Sequence, residues 1–379
     1  MKILLVDTSF AARPIYDYLV GCGHDVWTIG NRDSDLLARR AGGRWIKQDY
    51  SDIEAVERHV YALGIERVVP GCTDVSIATC AALTISRGII DPPETVWKLN
   101  DKRSFRQLCA EHDVPAPRAV PPNDLPDRGR LICKPVDAFS GRGISIFDAG
   151  DEDALLDAMV LARDASPSGS YLIEEFVDGQ LHSCTGYIEN GWLTDTIYVI
   201  EGSSANPFAV DTSYVRHDIP ERARISLEDG LTRLSIALGL VDGLLHTQFI
   251  LTEDRAYAIE CTRRCPGDLY PLLIENSTGM PYADRYASYF IGAPRPEAIH
   301  TTRHILRHTV TSDATGIYGG ISMDRSVPIL SVFPIQSIGQ NMLPKQATRC
   351  GILFCETDSR EQLAGLYRKF MDRRAYDVG

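Results

Sequence analysis

Apolar and amphipathic segments alternate along the first hundred residues. Apolar runs typical of buried strands lie at residues 3–6, 25–29 and 67–70. Segments with the spacing of helices lie at residues 14–20, 52–63 and from 74 to 86. Strands that alternate with helices form a parallel sheet with helices on both faces. We therefore predict a parallel α/β domain over residues 1–97, with Pro92 and Pro93 marking its boundary.

The turn after the first strand lacks the glycines of a dinucleotide-binding fold. It consists of Asp7, Thr8 and Ser9, and it lacks the glycines with which a G-x-G-x-x-G turn lets a pyrophosphate approach the backbone closely. NAD binding is therefore not expected here. A nucleotide-dependent oxidoreductase built on this domain remains the alternative from a different functional class.

The rest of the chain mixes strands and helices in an α+β pattern. Predicted strands lie at residues 131–136, 144–146, 171–177, 183–189, 192–200, 326–333 and 351–356, with a hairpin inside 244–268. Predicted helices lie at residues 151–163, 226–238 and 360–373. The second helix is expected to begin at Ser226, which with Asp229 resembles a capping box. A proline-containing linker at residues 293–297 separates a region 98–297 from a C-terminal region 298–379.

The hairpin carries the most informative polar residues. Side chains alternate faces along a strand, so His246 and Gln248 share one face of its first strand. If Gln248 lies directly across from Glu260, the loop has three residues, and Arg264 follows just beyond. Hard oxygen ligands beside a cation suit Mg2+ held against a phosphate chain. A surface hairpin with solvated polar residues is the alternative.

Two lysines occur where an anion would explain them. Lys102 lies in the first turn of a helix, where a cation opposes the helix dipole, although a solvated side chain also accounts for it. Lys134 lies inside an apolar strand, and a buried lysine needs an anionic partner.

A glycine-containing loop follows the second lysine. In Ser140-Gly141-Arg142-Gly143, backbone N–H groups can surround phosphates, and Ser140 and Arg142 can add donors. Hairpin loops use glycine as often, so an ordinary turn is the alternative.

Composition narrows the class of protein. The net charge of −12 argues against nucleic acid or an anionic membrane surface as partner. No apolar run approaches the length of a membrane span, and the N-terminal run is too short for a signal peptide. Ten cysteines are scattered singly. We therefore expect a cytoplasmic protein with reduced thiols.

In their order along the chain, these segments resemble the ATP-grasp superfamily. The resemblance covers about residues 1–290. Its motifs are Asn100-Asp101-Lys102, Lys134-Pro135, Ser140–Gly143, the run from Glu174 to Gly179, and Glu260 with Arg264. The segment from Arg264 to Asp268 is most similar to the branch that contains L-amino-acid ligases.

The resemblance implies ATP and Mg2+ (or Mn2+) as cofactors and a role for each matching residue. The implied ATP-binding residues are Lys102, Lys134, Ser140, Gly141, Arg142, Gly143, Glu174, Glu175, Phe176, Val177 and His182. In this set the two lysines hold phosphates, the glycine loop closes over them, and the 174–177 backbone receives adenine. The implied metal ligands are Gln248, Glu260 and Thr262, and Arg264 faces the transferred phosphoryl group. Most members have Glu at the position of Gln248 and Asn at that of Thr262, so fewer charged ligands are present here.

The resemblance also implies the reaction. We expect an ATP-dependent carboxylate–amine ligase that passes through an acyl phosphate and releases ADP and phosphate, with Arg264 and Lys134 as catalytic residues. Expected partners are small molecules, an amino or hydroxy acid and an amine, with a homodimer left open. Arg216, Gly267 and Asp268 are the candidate substrate residues. An ATP-grasp carboxylase, a carboxylate–thiol ligase and a catalytically inactive nucleotide-binding regulator are the alternatives.

Overall fold

A computed structural model describes residues 1–138 and 141–379. The N-terminal part is a four-stranded parallel sheet of order β3-β2-β1-β4 with helices between its strands. Its strands are β1 (Lys2–Val6), β2 (Asp25–Gly30), β3 (Trp45–Lys47) and β4 (Arg67–Pro70). Its helices are α1 (Arg13–Gly21), α2 (Leu36–Ala41), α3 (Ile53–Leu63), α4 (Asp74–Ala82) and α5 (Pro93–Asn100). The predicted parallel α/β architecture is confirmed, and the structure adds α2 and β3.

Asp7 closes the turn after β1. Its carboxylate accepts hydrogen bonds from the N–H groups of Ser9 (2.8 Å) and Cys72 (2.9 Å). Cys72 follows β4, so Asp7 joins the ends of two adjacent parallel strands. A Cβ at Gly71 would lie 2.1 Å from the Asp7 Cβ, so glycine is required there. The Asp7 side chain thus fills the strand ends that a glycine-rich turn leaves open for a pyrophosphate.

A three-stranded antiparallel sheet of order β6-β5-β7 follows. It is preceded by α6 (Lys102–Glu111) and covered on one face by α7 (Glu152–Ala165). Its strands are β5 (Arg130–Pro135), β6 (Ser145–Asp148) and β7 (Tyr171–Glu175). Leu131, Phe147 and Ala158 belong to the small apolar core between sheet and helix.

The largest element is an eight-stranded antiparallel sheet of order β12-β11-β8-β9-β10-β13-β18-β16. Its strands are β8 (Gln180–Glu189), β9 (Trp192–Gly202), β10 (Thr212–Arg216), β11 (Gly243–Leu251), β12 (Ala256–Thr262), β13 (His304–Val310), β16 (Ile329–Pro334) and β18 (Gly351–Thr357). Smaller pairs are formed by β14 (Gly316–Ile317) with β17 (Asn341–Met342), and by β15 (Ile321–Met323) with β19 (Tyr376–Val378). Strands from both sides of residue 297, the predicted boundary of the C-terminal region, belong to this one sheet.

The two faces of this sheet are covered by different helices. These are α8 (Glu221–Leu238), α9 (Tyr270–Thr278), α10 (Tyr282–Ile291) and α11 (Arg360–Met371). On one face Tyr198 and Phe249 pack with Leu231 of α8. On the other, Ser183 and Thr185 hydrogen-bond to tyrosines of α9 and α10. We call this second face the cleft face, because it carries Gln248 and Glu260.

Helix α8 begins earlier than predicted. The capping-box pattern placed its start at Ser226, but the helix begins at Glu221 directly after Pro220. Ser226 therefore lies inside the helix. In the described part of the chain, no helix combines the length and apolar character needed to cross a membrane.

The β11–β12 hairpin differs from prediction in its turn. Gln248 lies directly across from Glu260, as expected, but the next pair is Phe249 with Ala258. Ile259 is thus a bulge residue, and its carbonyl oxygen accepts a hydrogen bond from Arg106 Nη2 at 2.9 Å. The bulge absorbs one residue and shortens the expected three-residue loop to two.

Candidate active site

Lys102 connects α6 to the cleft face. Asp101 caps this helix, its Oδ1 accepting from the Ser104 N–H at 2.8 Å. The Lys102 side chain is buried, with its Nζ 3.0 Å from Glu260 Oε1, and it donates to the Ala138 carbonyl at 3.3 Å. The cation at a helix N-terminus is therefore compensated both by its cap and by a carboxylate of the large sheet.

Lys134 has the anionic partner that the sequence predicted. Its Nζ pairs with Glu174 Oε2, and Arg106 Nε pairs with Glu174 Oε1. All three side chains are buried, with Glu174 only 1% exposed. Burial lowers the pKa of Lys134, while Glu174 opposes that shift. For Glu174 burial alone would raise the pKa, but the charges of Lys134 and Arg106 lower it, so the carboxylate is ionised.

Much of the 174–177 segment, which was expected to receive adenine, is hydrogen-bonded inside the protein. The Glu174 carboxylate is engaged inside the protein. The N–H groups of Glu175 and Phe176 donate to the carbonyls of Arg118 (3.0 Å) and Arg130 (2.9 Å). Among the described residues, the Val177 N–H has no acceptor. A cavity of about 410 Å³ borders Glu175, Phe176 and Val177 and is also lined by Tyr257.

The glycine loop is described from Gly141 onward. Phe139 and Ser140, including the predicted phosphate donor Ser140, lie outside the described residues. Gly141 and Gly143 have φ of +70° and +72°, the left-handed conformation that favours glycine. A Cβ at Gly141 would lie 2.6 Å from the Phe208 Cβ, and one at Gly143 would lie 2.5 Å from the Ala165 Cβ. Gly141 thus contacts a loop of the large sheet, and Gly143 packs on α7.

Gln248 and Glu260 form the pair that the sequence predicted, with a second acid beside them. The Glu260 side chain is 48% exposed and has Lys102 on its Oε1. Burial opposes its ionisation, but the charge and hydrogen bond of Lys102, together with the charges of Lys134 and Arg106, lower the pKa of Glu260. The Gln248 Nε2 donates to Glu201 Oε2 at 2.6 Å. Glu201 was not predicted, because its distance from Gln248 depends on the order of strands in the sheet.

Arg264 is fixed by the N-terminal domain. Its Nε and Nη2 donate to the two carboxylate oxygens of Asp74 at 2.6 and 3.0 Å. Its backbone N–H donates to Thr262 Oγ1 at 3.4 Å. Burial would lower the pKa of Arg264, but Asp74 raises it, so the guanidinium is charged. Asp74 was also missed, because an acid in the first turn of α4, after the Thr73 cap, indicates only a favourable interaction with the helix dipole.

His246 lies on the same face as Gln248 and is buried. Its Nδ1 has no hydrogen-bond partner among the described residues, and its ring meets that of Tyr270 edge-on at 5.2 Å. Burial, with the charge of Arg264, lowers the pKa of His246 to about 3, so the ring is neutral.

His182 and Arg216 are not brought to the cleft face. His182 lies across from Phe249, and its ring stacks on that of Phe249 at 5.4 Å. Since neighbouring residues of a strand face opposite ways, Ser183 and not His182 lies on the side of Gln248. Arg216 Nη1 lies 3.0 Å from His182 Nε2, and its Nε donates to Asp218. Arg216 lines a separate cavity of about 540 Å³.

Asp268 connects the segment after the hairpin to the C-terminal strands. Its Oδ1 lies 2.5 Å from Arg349 Nη1, and its carbonyl accepts from Arg307 Nη1 at 3.0 Å. Arg307 is 3% exposed and also donates to Ser213 Oγ. Gly267 precedes this bend, and a Cβ built there would meet no other atom within 4 Å. The predicted substrate residues Gly267 and Asp268 thus lie beside the cleft face, unlike Arg216.

The donor set is suited to a nucleotide-borne cation. In the described residues no group of three His, Cys, Asp or Glu side chains could enclose a metal ion. Gln248, Glu260 and Thr262 offer one carboxylate and two neutral oxygens, and Glu260 is ionised. Mg2+ is commonly bound through one or two carboxylates together with phosphates and water. The residues therefore fit a metal that arrives with phosphates.

Comparison with curated proteins gives distant relatives. No family model matches the sequence. The chain is similar to the large chain of carbamoyl phosphate synthase from Deinococcus radiodurans, with 23% identity over 276 residues, 64% of this chain and 26% of that protein. The same enzyme's large chain from Rubrobacter xylanophilus is 25% identical over 226 residues, 54% of this chain and 20% of that protein. The chain thus spans between a fifth and about a quarter of the length of the curated relatives it matches.

Solved structures match over the entire chain. L-amino acid ligase from Bacillus licheniformis has a TM-score of 0.80 at 17% identity, covering 100% of this chain and 98% of that one. Phosphoribosylglycinamide synthetase from Anaerococcus prevotii has a TM-score of 0.76 at 16% identity, covering 100% and 99%. The biotin carboxylase domain of Hydrogenobacter thermophilus 2-oxoglutarate carboxylase, solved with MgADP, has a TM-score of 0.75 at 14% identity, covering 100% and 90%.

Proposed function

Because the chain has the ATP-grasp fold, we propose that it is an ATP-dependent carboxylate–amine ligase. One observation carries the proposal: Lys102 Nζ lies 3.0 Å from Glu260, which lies directly across from Gln248 on the cleft face. A cation beside hard oxygen donors suits a nucleotide phosphate chain with its Mg2+ or Mn2+. The bound metal would neutralise charge on the β and γ phosphates during transfer.

The residues of the cleft have separate tasks in this reaction. Lys102 and Lys134 offer ammonium groups to the phosphates, and Glu260 and Gln248 offer oxygens to the metal. The carboxylic acid substrate attacks the γ-phosphorus, the bond to the β-phosphate oxygen breaks, and an acyl phosphate and ADP result. The amine then displaces phosphate from the acyl carbon and loses a proton. Charge stabilisation and positioning are what the protein contributes to such a transfer.

We assign Arg264 to the transferred phosphoryl group or the carboxylic acid. Asp74 holds it by two hydrogen bonds, and each side chain remains about a fifth exposed. The pair therefore offers a guanidinium and a carboxylate side by side, which complements the opposite charges of a small amino acid. This supports an amino acid as the carboxylate donor. Asp268, near the cleft face, stays a candidate for the second substrate.

The glycine loop supports a water-excluding step. An acyl phosphate hydrolyses readily, so the site must close while it exists. Gly141 packs against Phe208 in the loop between β9 and β10. Backbone contact of this kind excludes water without adding charge.

Product analysis tests the proposal. The protein is incubated with ATP, Mg2+ and a panel of amino and hydroxy acids, with and without amines, and released phosphate is measured. We expect amine-dependent phosphate, ADP by nucleotide chromatography, and a hydroxamate when hydroxylamine replaces the amine. AMP with pyrophosphate would refute phosphoryl transfer to the acid. Phosphate release driven by bicarbonate or by a thiol would instead indicate a carboxylase or a carboxylate–thiol ligase. Glu260→Gln, which should abolish turnover, is the control for contaminating ATPases.

A further inference from the structure

Glu201 is a buried acid at the edge of the proposed metal site. It lies in β9, is 4% exposed, and accepts a hydrogen bond from Gln248 Nε2 at 2.6 Å. Val199, two residues before it, pairs with Ser183, so the Glu201 side chain shares the cleft face with Ser183 and Gln248. The proposed reaction has so far given Glu201 no task.

The contact determines which way the Gln248 amide points. The Glu201 carboxyl oxygen accepts this hydrogen bond, so it takes the NH2 end of the amide. The strand order β12-β11-β8-β9 places Glu201 on one side of Gln248 and Glu260 on the other. With Nε2 turned toward β9, the Oε1 atom is turned toward β12 and Glu260. A free glutamine would lose this preference by rotating its amide.

We propose that Glu201 is a positioning residue, which holds Gln248 so that its carbonyl oxygen faces the metal beside Glu260. The inference rests on the proposed function, since it presumes a nucleotide-bound metal at this pair. Replacement of a group that orients a metal ligand commonly lowers metal affinity by about 10- to 100-fold.

Exchanging the amide and the carboxyl group between positions 201 and 248 gives a test whose expected result side-chain packing alone would not explain. In Glu201→Gln the amide of Gln248 loses its fixed acceptor. In Gln248→Glu two carboxylates come into contact where an amide and a carboxylate now meet. The double exchange, Glu201→Gln with Gln248→Glu, restores one amide donor and one carboxylate acceptor in reversed order. A positioning role therefore predicts that each single change weakens metal binding and that the double exchange restores it.

The measurement is Mn2+ binding in the presence of a non-hydrolysable ATP analogue, followed by the electron paramagnetic resonance signal of free Mn2+. We expect Glu201→Gln and Gln248→Glu each to weaken Mn2+ binding by about 10- to 100-fold, and the double exchange to recover most of this loss. Glu228→Gln is the matched control: this carboxylate accepts from Thr196 and Tyr198 on the opposite face. It should bind Mn2+ like the wild type.

The outcomes separate the two ideas. Wild-type Mn2+ affinity in folded Glu201→Gln, or a double exchange no better than the single variants, would overturn the positioning role. If Glu201→Gln does not fold, Glu201→Asp keeps the carboxyl group but shortens its reach, and undiminished Mn2+ affinity in that variant would overturn the positioning role equally. Failure of the wild-type protein to bind Mn2+ with the analogue would refute the proposed nucleotide site itself.

Discussion

Lys134→Met separates the role of this lysine in nucleotide binding from its role in the fold. Lys134, Glu174 and Arg106 form a buried group of two cations and one anion. Methionine keeps the apolar stem and removes the ammonium, and Glu174 keeps Arg106 as its partner. The buried charges then cancel, so we expect the free energy of unfolding to fall by about 1–2 kcal/mol, below the loss from an uncompensated charge.

Glu174→Gln is the matched comparison. It leaves two buried cations without their anion, and breaking a buried pair in this way costs about 3–5 kcal/mol. ATP affinity, in contrast to stability, should depend on the Lys134 ammonium group itself. Loss of one charge-assisted hydrogen bond to phosphate costs about 1.5–3 kcal/mol, so Lys134→Met should weaken ATP binding by roughly 10- to 100-fold.

Calorimetric titration with ATP and Mg2+, together with denaturant unfolding of both variants, checks these values. Wild-type ATP affinity in a well-folded Lys134→Met protein would reject the phosphate role. A Lys134→Met protein as unstable as Glu174→Gln would reject the argument from the buried charge balance.

Three further changes test other parts of the cleft. Gly141→Ala should slow turnover with little loss of melting temperature, because the added Cβ meets Phe208 of a separate loop; equal losses of both would make this loop a structural turn. Asp74→Asn should lower kcat by about tenfold or more, since Arg264 loses its charged partner, and unchanged kcat would show that this ion pair is dispensable. Burial raises the pKa of Glu275 to about 7, so its contribution to stability is complete below the unfolded pKa of about 4.3 and is lost as pH rises through 7. Glu275→Gln should flatten the pH dependence of unfolding in that window, and an unchanged pH profile would contradict this.

Local patterns were sufficient for the fold class and for residues that are close in sequence. The strand-and-helix alternation of residues 1–97 predicted the parallel sheet, and the hairpin periodicity predicted that Gln248 and Glu260 face each other. The two-residue turn was missed because the Ile259 bulge depends on Arg106, which comes from a distant helix. Sequence spacing does not show such a partner.

Long-range contacts account for the other differences. Asp74 reaches Arg264 across 190 positions of chain, and Asp7 reaches Cys72 across 65. His182 was assigned to the nucleotide by its place in the motif order, but strand alternation at Ser183 turns it to the opposite face. A one-residue shift along a strand is enough to reverse the face of every side chain. Register therefore has to be known before such a residue is assigned.

Gln248 shows how a substitution that looks like a loss can be compensated elsewhere in a sheet. From the sequence, a neutral residue there removes one negative charge from the metal site and keeps an inactive regulator open as an alternative. In the structure the carboxylate of Glu201 contacts the same side chain from β9, two strands away. The pair of Gln248 and Glu201 contains one carboxylate, as a single glutamate at position 248 would. Because the carboxyl group is displaced by one hydrogen bond and not removed, the departure at Gln248 is a weak argument against catalysis.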